Sequence, residues 1–83
     1  MPDQTDQFLA EVRAECARAR SKFPNNDLTM IALTEEVGEL AKALLDESPD
    51  RVRREAVQVA CMAVRVAVDG DASVIAFRTA RAS

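Results

Sequence analysis

One apolar segment in the second half of the chain limits the possible folds more than any other feature. It spans residues 49–69, between the helix-start pair Ser48-Pro49 and the helix-stop residue Gly70. Beyond its first turn, Val, Ala, Cys and Met residues occupy nearly all sides of the predicted helix. A helix that is apolar on most sides must be covered on most sides. Because two further helices of one short chain can hardly cover it, we expect a bundle completed by oligomerisation, as a homodimer or homotetramer.

The composition favours a single all-α domain over residues 1–83. The chain has many Ala residues but only two Gly and three Pro, and its aromatic residues are limited to three Phe. Ala favours the helix, whereas Gly and Pro interrupt it. A net charge of −3 argues against general nucleic-acid binding, which needs clustered cations. The absence of His excludes His-based zinc sites, a His general base and Glu-x-x-His di-iron sites.

Two isolated cysteines bear on the cellular location. Cys16 and Cys61 are far apart in the sequence, and neither belongs to a C-x-x-C motif. The N-terminus does not resemble a signal peptide, and the chain contains no apolar run of membrane-spanning length. We therefore expect a cytoplasmic protein with reduced thiols and no membrane association.

Apolar residues that recur at intervals of three and four predict an antiparallel bundle of three main helices and a short C-terminal helix. The predicted helices span residues 5–22, 27–46 and 49–69, and the short fourth helix follows Gly70. Asn26 or Asp27 is expected to cap the second helix, and Asp71 or Ser73 is expected to cap the fourth.

The second predicted helix carries an apolar stripe with two acids on its flank. At 100° per residue the stripe covers about 80° of the helix surface, and we expect it to face the core. Its members are Met30, Leu33, Val37, Leu40 and Leu44. Glu36 and Glu39 lie on its flank, and the Ala residues above and below them leave room for a ligand. Gly38 is expected to allow the close approach of another backbone.

Two polar pairs at helical spacing form the main candidate site. Residues three apart on a helix lie on the same side, so Glu36 and Glu39 direct two carboxylates to one region. Glu55 and Gln58 direct two further oxygen ligands from the third helix. If the two helices pack antiparallel, four oxygen ligands converge, which is the chemistry that Mg²⁺ prefers. The alternative is an ordinary solvated acidic face.

This double motif resembles that of the MazG-like, all-α nucleoside triphosphate pyrophosphohydrolases, whose signature is E-E-x-x-E, a spacer and E-x-x-D. The matching segments are residues 35–39 and 55–58, and the similarity extends over about residues 28–69. Gln58 stands where the family has its final Asp. The resemblance implies that the substrate is a nucleoside triphosphate, modified nucleotides included, which is hydrolysed to a monophosphate and pyrophosphate.

The resemblance also implies roles for individual residues. Glu36, Glu39, Glu55 and Gln58 match the ligands of Mg²⁺, with Mn²⁺ as an alternative ion. Glu35 matches an acid that either orients the attacking water or supports the metal ligands from behind, and Glu35, Glu36 and Glu39 form the implied catalytic set. Because the amide of Gln58 brings no negative charge, two outcomes follow: a weaker hydrolase, or a member of the family that has lost catalysis.

Three basic residues are candidates for contacts with the substrate phosphates. Lys22 ends the first predicted helix, and Arg65 lies two turns beyond Gln58 on the same side of the third. Lys42 lies near the acids, where an ion pair with Glu39 is the alternative. Surface charge or ion pairing competes with phosphate binding for each of them. For the chain as a whole, the competing function is a non-enzymatic helical oligomerisation or adaptor domain.

Overall fold

The structure, a computed structural model, describes residues 2–82, which form four α-helices. These are α1 (Gln4–Lys22), α2 (Thr29–Asp46), α3 (Pro49–Val68) and α4 (Ala72–Ala82). The described residues contain no β-strand, so the all-α prediction is confirmed. None of these four helices is long and apolar enough to cross a membrane. Met1 and Ser83 lie outside the described residues.

Local hydrogen bonds fix the beginnings of α1 and α3. The Asp3 carboxylate accepts from the backbone N–H of Asp6 at 2.8 Å, and the Asp6 carboxylate accepts in return from the N–H of Asp3. The Ser48 hydroxyl accepts from a backbone N–H of the first turn of α3 at 3.3 Å, and Pro49 opens that turn. The predicted boundaries at Ser48-Pro49 and Gly70 are therefore confirmed, because α3 ends at Val68 and Gly70 has a φ of 79°.

Helix α3 is the centre of the fold, because it packs against both α1 and α2. Across residues 2–82, α1 and α2 do not pack on each other, and α4 packs on no other helix. Glu11 of α1 pairs with Arg53 near the start of α3, and Arg20 pairs with Asp69 just beyond its end. Helices α1 and α3 therefore run parallel, and α2, which a short turn joins to α3, runs antiparallel to both.

The apolar core lies between α1 and α3. Its fully buried members are Val12, Cys16, Ala19 and Cys61, and Phe8, Val57, Ala60 and Val64 pack around them. Both cysteines are free thiols, and the Cys16 thiol donates to the Cys61 carbonyl oxygen at 3.9 Å. Burial, with the Cys16 thiol alongside, raises the pKa of Cys61 to about 12. The Cys61 thiol therefore stays protonated and unreactive at neutral pH.

The start of α2 differs from the prediction. The helix begins at Thr29, and neither Asn26 nor Asp27 caps it. Leu28 occupies the N-cap position with a left-handed φ of 59° and offers no side-chain acceptor. The Asn26 side-chain amide is used elsewhere, since it donates to the carbonyl oxygen of Asp69 at 2.8 Å. The prediction of a local cap was wrong because the capping group comes from a distant part of the chain.

That capping group is Asp71, which serves two helices at once. One oxygen of its carboxylate accepts from the backbone N–H of Met30 in α2 at 2.8 Å. The other accepts from the N–H of Val74 in α4 at 3.1 Å, as predicted for the fourth helix. These backbone N–H donors, that of Met30 first, hold the pKa of Asp71 below its usual value. Asp71 thus fixes where α2 and α4 begin relative to each other.

A polar junction closes the same end of the fold. The Asp69 carboxylate accepts from the guanidinium groups of Arg20, at 2.9 Å, and Arg65, at 3.1 Å. Arg65 also donates to the carbonyl oxygen of Asn25 at 2.9 Å. The hydrogen bond from Arg20, and then that from Arg65, lowers the pKa of Asp69. The junction therefore ties the loop between α1 and α2 to the end of α3.

The apolar stripe of α2 is largely exposed, contrary to the prediction that it faces the core. Met30, Val37 and Leu44 are 45%, 49% and 66% exposed, and the two other members of the stripe are partly buried. The prediction was wrong because α2 packs only on α3, so a single chain covers a narrow face of this helix. The close approach expected at Gly38 is also absent within the chain, since a Cβ there would meet no atom within 4 Å.

Candidate functional site

The two polar pairs predicted from the sequence lie at the interface of α2 and α3. Since α2 packs only on α3, the partly buried Glu36 belongs to the face that is turned toward α3. Glu55, on α3, is only 7% exposed. The carboxyl groups of Glu36 and Glu55 lie close enough to interact directly, and Glu39 lies close enough to act on Glu36 through its charge. The structure thus brings Glu36 and Glu55 together, whereas Glu39 is exposed and acts on Glu36 only through its charge.

This group carries more negative charge than its neighbours neutralise. Burial raises the pKa of Glu36, and the negative charges of Glu55 and then Glu39 raise it further. The cation that pairs with Glu55 is Arg51, whose Nε lies 3.7 Å from Oε1. Arg51 is shared, because its Nε also lies 3.9 Å from the carboxylate of Glu47. Both distances are long for an ion pair, so the compensation by Arg51 is weak.

Gln58, the fourth predicted ligand, has a partner on α1. Its Nε2 donates to Oε2 of Glu15 at 3.0 Å. Arg18, one turn further along α1, donates from Nε to Oε1 of Glu15 at 2.7 Å and also pairs with Oε2 through its Nη2. The hydrogen bond from Arg18, and to a smaller extent that from Gln58, lowers the pKa of Glu15 against the opposing effect of burial. Glu15 is therefore an ionised acceptor at neutral pH.

A cleft of about 410 Å³ lies beside these groups, within the range of small-molecule sites. Its polar lining includes Glu15, Arg18, Glu35, Glu36, Gln58 and Arg65. The rest of the lining consists of apolar side chains, among them Phe23 and Met62, and of three further polar residues, Asn25, Asp27 and Thr29. Glu39 and Glu55 are not among the lining residues, so the cleft meets the acidic group along the side formed by Glu36 and Glu35.

The three basic residues predicted to contact phosphate lie in different surroundings. Arg65 lines the cleft but is only 4% exposed, and its guanidinium is engaged with Asp69 and Asn25. Lys22 is exposed outside the cleft, with its ammonium 5.5 Å from the ring centre of Phe23. Lys42 is also exposed and lies outside the cleft.

Glu15 and Arg18 are the site residues that the sequence reasoning missed. Both belong to α1, from which the sequence analysis took only Lys22 as a candidate site residue. Glu15 lies beside Cys16 on the buried side of that helix, and its side chain is 14% exposed. An acid on the flank of an apolar stripe is the same signal that singled out Glu36 on α2. Applied to α1, that signal identifies Glu15.

The donor atoms of this region suit Mg²⁺ in kind and in charge. Carboxylate and amide oxygens are its usual protein ligands, and the raised pKa of Glu36 reflects negative charge that a cation would offset. Within residues 2–82, no group of three or more acidic or cysteine side chains lies so that it could hold a metal ion. The residues fit the ion in donor chemistry, whereas their arrangement in this structure does not form a complete site.

The chain was compared with protein-family models, curated proteins and solved structures, and none of them matched. The resemblance to the MazG-like hydrolases therefore rests on the motif residues, which are segments 35–39 and 55–58 with their flanks.

Proposed function

We propose that this chain is a Mg²⁺-dependent hydrolase that converts nucleoside triphosphates to monophosphates and pyrophosphate, with Mn²⁺ as an alternative ion. The observation that carries the proposal is the burial of Glu55 and the partial burial of Glu36 at one helix interface, with the exposed Glu39 one turn away. A solvated acidic face would leave Glu36 and Glu55 in water as well. Burying a carboxylate is costly unless positive charge accompanies it, and the weak contact with Arg51 supplies little. A bound divalent cation would make the arrangement favourable.

Residues of α2 and α3 are assigned two roles, binding the metal ion and orienting the attacking water. Glu36, Glu39, Glu55 and the side-chain oxygen of Gln58 would hold the ion, and Glu35, which lines the cleft, would orient the attacking water. When bound, Mg²⁺ supplies positive charge that offsets the charge of the triphosphate. The protein contributes by fixing these groups on two packed helices, so that little further ordering is needed when the substrate binds.

The lining of the cleft supports a polyanionic, base-bearing substrate. Arg18 has a side chain that is 57% exposed, and it becomes our candidate for a phosphate contact. It replaces Arg65 because Arg65 is only 4% exposed, whereas Arg18, although it also pairs with Glu15, remains largely accessible. Phe23 also lines the cleft and is 58% exposed, so its ring is accessible for stacking against a base.

A second candidate function, a helical oligomerisation or adaptor domain, is favoured by the exposed apolar surface. Leu44 and Leu45 at the end of α2 are 66% and 82% exposed, and Phe77 on the unpacked helix α4 is 62% exposed. Exposed apolar residues in such number are typical of a protein that associates. We therefore include homodimer or homotetramer formation in the proposal, with or without catalysis. A cytoplasmic location is also part of it, in agreement with the two free thiols.

The deciding experiment is a pyrophosphate-release assay over a panel of normal and modified nucleoside triphosphates with Mg²⁺. The variants are Glu39→Gln and Glu55→Gln, which remove a charge and keep the shape of the side chain. Glu11→Gln is the matched control, because Glu11 is an exposed acid that pairs with Arg53 and lies outside the cleft. We expect release by the parent and the control, and a loss of more than about 100-fold in the two site variants.

Thermal melting with chelator and with Mg²⁺ tests the metal site separately from catalysis. A ligand that binds only the native state raises the melting temperature by mass action. We expect Mg²⁺ to raise it for the parent and for Glu11→Gln, and to leave it unchanged for Glu39→Gln. If the parent shows neither a Mg²⁺-dependent shift nor pyrophosphate release, the hydrolase proposal is wrong and the oligomerisation domain is the better description.

A further inference from the structure

We propose that Glu15 is a positioning residue that orients the amide of Gln58, so that its oxygen and not its nitrogen is offered to a divalent cation. This inference rests on the proposed function and deepens it, because it adds a residue of α1 to a site otherwise built from α2 and α3. The motif segments contain no residue of α1, so the motif does not point to Glu15.

The hydrogen-bond chemistry of the two side chains decides the orientation of the amide. Nε2 of Gln58 lies 3.0 Å from Oε2 of Glu15. An ionised carboxylate can only accept hydrogen bonds, and of the two ends of an amide only the NH₂ group can donate. The nitrogen must therefore face Glu15. The oxygen is the end left for other partners, and only this end can bind a hard cation.

Arg18 makes this orientation stable. Its Nε donates to Oε1 of Glu15 at 2.7 Å, and its Nη2 pairs with Oε2. These charge-assisted hydrogen bonds hold the Glu15 carboxylate in one position. Arg18 therefore acts on Gln58 through Glu15.

The same contact explains why position 58 holds a glutamine. A carboxylate there would have its oxygen about 3 Å from an oxygen of Glu15, with both charged, and two like charges at that distance cannot both stay ionised without a large cost. An amide avoids the repulsion and adds a hydrogen bond. Glu15 and Gln58 are thus complementary. The negative charge that the resembling motif has at position 58 is held instead on the neighbouring helix.

The test is a charge exchange between the two positions. It uses the full chain as the parent, Glu15→Gln, Gln58→Glu and the double variant, each melted with chelator and over a titration of Mn²⁺ or Mg²⁺. The double variant has the net charge and composition of the parent, so long-range electrostatic effects cancel. Glu11→Gln is the control for loss of one charge from α1, since Glu11 is exposed one turn away.

With chelator, we expect Gln58→Glu to melt well below the parent, because it places a second carboxylate against Glu15. We expect the double variant to recover most of that loss, because the amide at position 15 then donates to the carboxylate at position 58. With metal, Glu15→Gln should need about 10- to 100-fold more Mn²⁺ for the same shift in melting temperature, the range typical of a residue that orients a metal ligand. The control should titrate like the parent, and the double variant should respond at least as well as the parent.

Three results separate failure of this inference from failure of the proposed function. If the parent responds to Mn²⁺ and Glu15→Gln responds equally well, Glu15 does not position a ligand and the inference alone is wrong. If Gln58→Glu melts like the parent with chelator, the side chains are not paired and the inference is again wrong. If the parent itself does not respond to either ion, the metal site and the hydrolase proposal fail together with the role assigned to Glu15.

Discussion

Replacing Arg65 with Met tests whether this residue holds the fold together or serves the substrate. Arg65 is only 4% exposed, and its two polar contacts are to Asp69 at 3.1 Å and to the carbonyl oxygen of Asn25 at 2.9 Å. Methionine keeps a long unbranched side chain and fills irregular space, so Arg65→Met removes the guanidinium with little loss of packing. Its effect should therefore report on the polar junction.

The expected loss of stability in Arg65→Met follows from the contacts that Asp69 and Asn25 lose. Removing one member of a buried ion pair costs about 3–5 kcal/mol when the other charge is left alone. Here Asp69 keeps its bond to Arg20 and its side chain is 21% exposed, so its charge is not stranded. The Asn25 carbonyl loses a charged donor, and hydrogen bonds to charged groups contribute about 1.5–3 kcal/mol. Taking both together, we expect a loss of about 2–3 kcal/mol, or roughly 10–20 °C in melting temperature for a domain of this size.

The measurement is urea and thermal denaturation followed by circular dichroism, with all variants at one protein concentration because association changes apparent stability. Arg54→Met is the matched control, since Arg54 is an exposed residue of the same helix, and it should stay within about 0.5 kcal/mol of the parent. If Arg65→Met unfolds like this control, the junction does not stabilise the fold as reasoned. If Arg65→Met lost pyrophosphate release while its stability stayed unchanged, Arg65 would be a substrate contact and not a structural residue.

Three further predictions concern Glu36, Leu28 and the exposed surface of α2. The folded-state pKa of Glu36 is raised, so the parent should gain stability relative to Glu36→Gln as the pH falls from neutral toward the ordinary pKa of 4.5 in chelator, and a pH-independent difference would contradict this. Leu28→Gly should stabilise the protein by about 1 kcal/mol in urea titrations, because Gly relieves a left-handed strain of about 1–2 kcal/mol and loses part of this gain through the greater entropy of its unfolded chain. A loss of stability would contradict this. Sedimentation should give a mass of two or four times 9.1 kDa, and Leu44→Asp should lower it without unfolding the helices; a parent mass of 9.1 kDa would rule out self-association.

The parts of the fold that depend on neighbouring residues were predictable from the sequence. Ser48 and Pro49 act on the first turn of the helix that they open, and Gly70 acts on the turn that it ends, so both boundaries of α3 were found. The start of α2 was not found, because its cap is Asp71, which is 41 residues away from Met30 in the sequence. A distant cap leaves no local pattern.

In the candidate site, too, contacts between neighbouring helices were predictable and contacts set by distant packing were not. The approach of Glu36 and Glu55 was predictable, because helical spacing and a short turn between the two helices determine it. The pairing of Glu15 with Gln58 was not, because it depends on how α1 lies against α3. For Arg65, spacing identified the side of the helix, but burial at the polar junction decided its partners.

Because α1 and α2 each pack on α3 and not on each other, a few polar contacts influence the width of the cleft. Residues of α1 and of α2 both line the cleft, yet these two helices do not pack on each other. The junction at Asp69 ties the loop between them to α3 at one end, and the bond between Glu15 and Gln58 ties α1 to α3 further along. Breaking either contact removes one polar restraint on the cleft, while the apolar core still holds α1 on α3. The variants Arg65→Met and Glu15→Gln should therefore both alter the response to a ligand in the cleft, whereas only Arg65→Met should cost much stability without one.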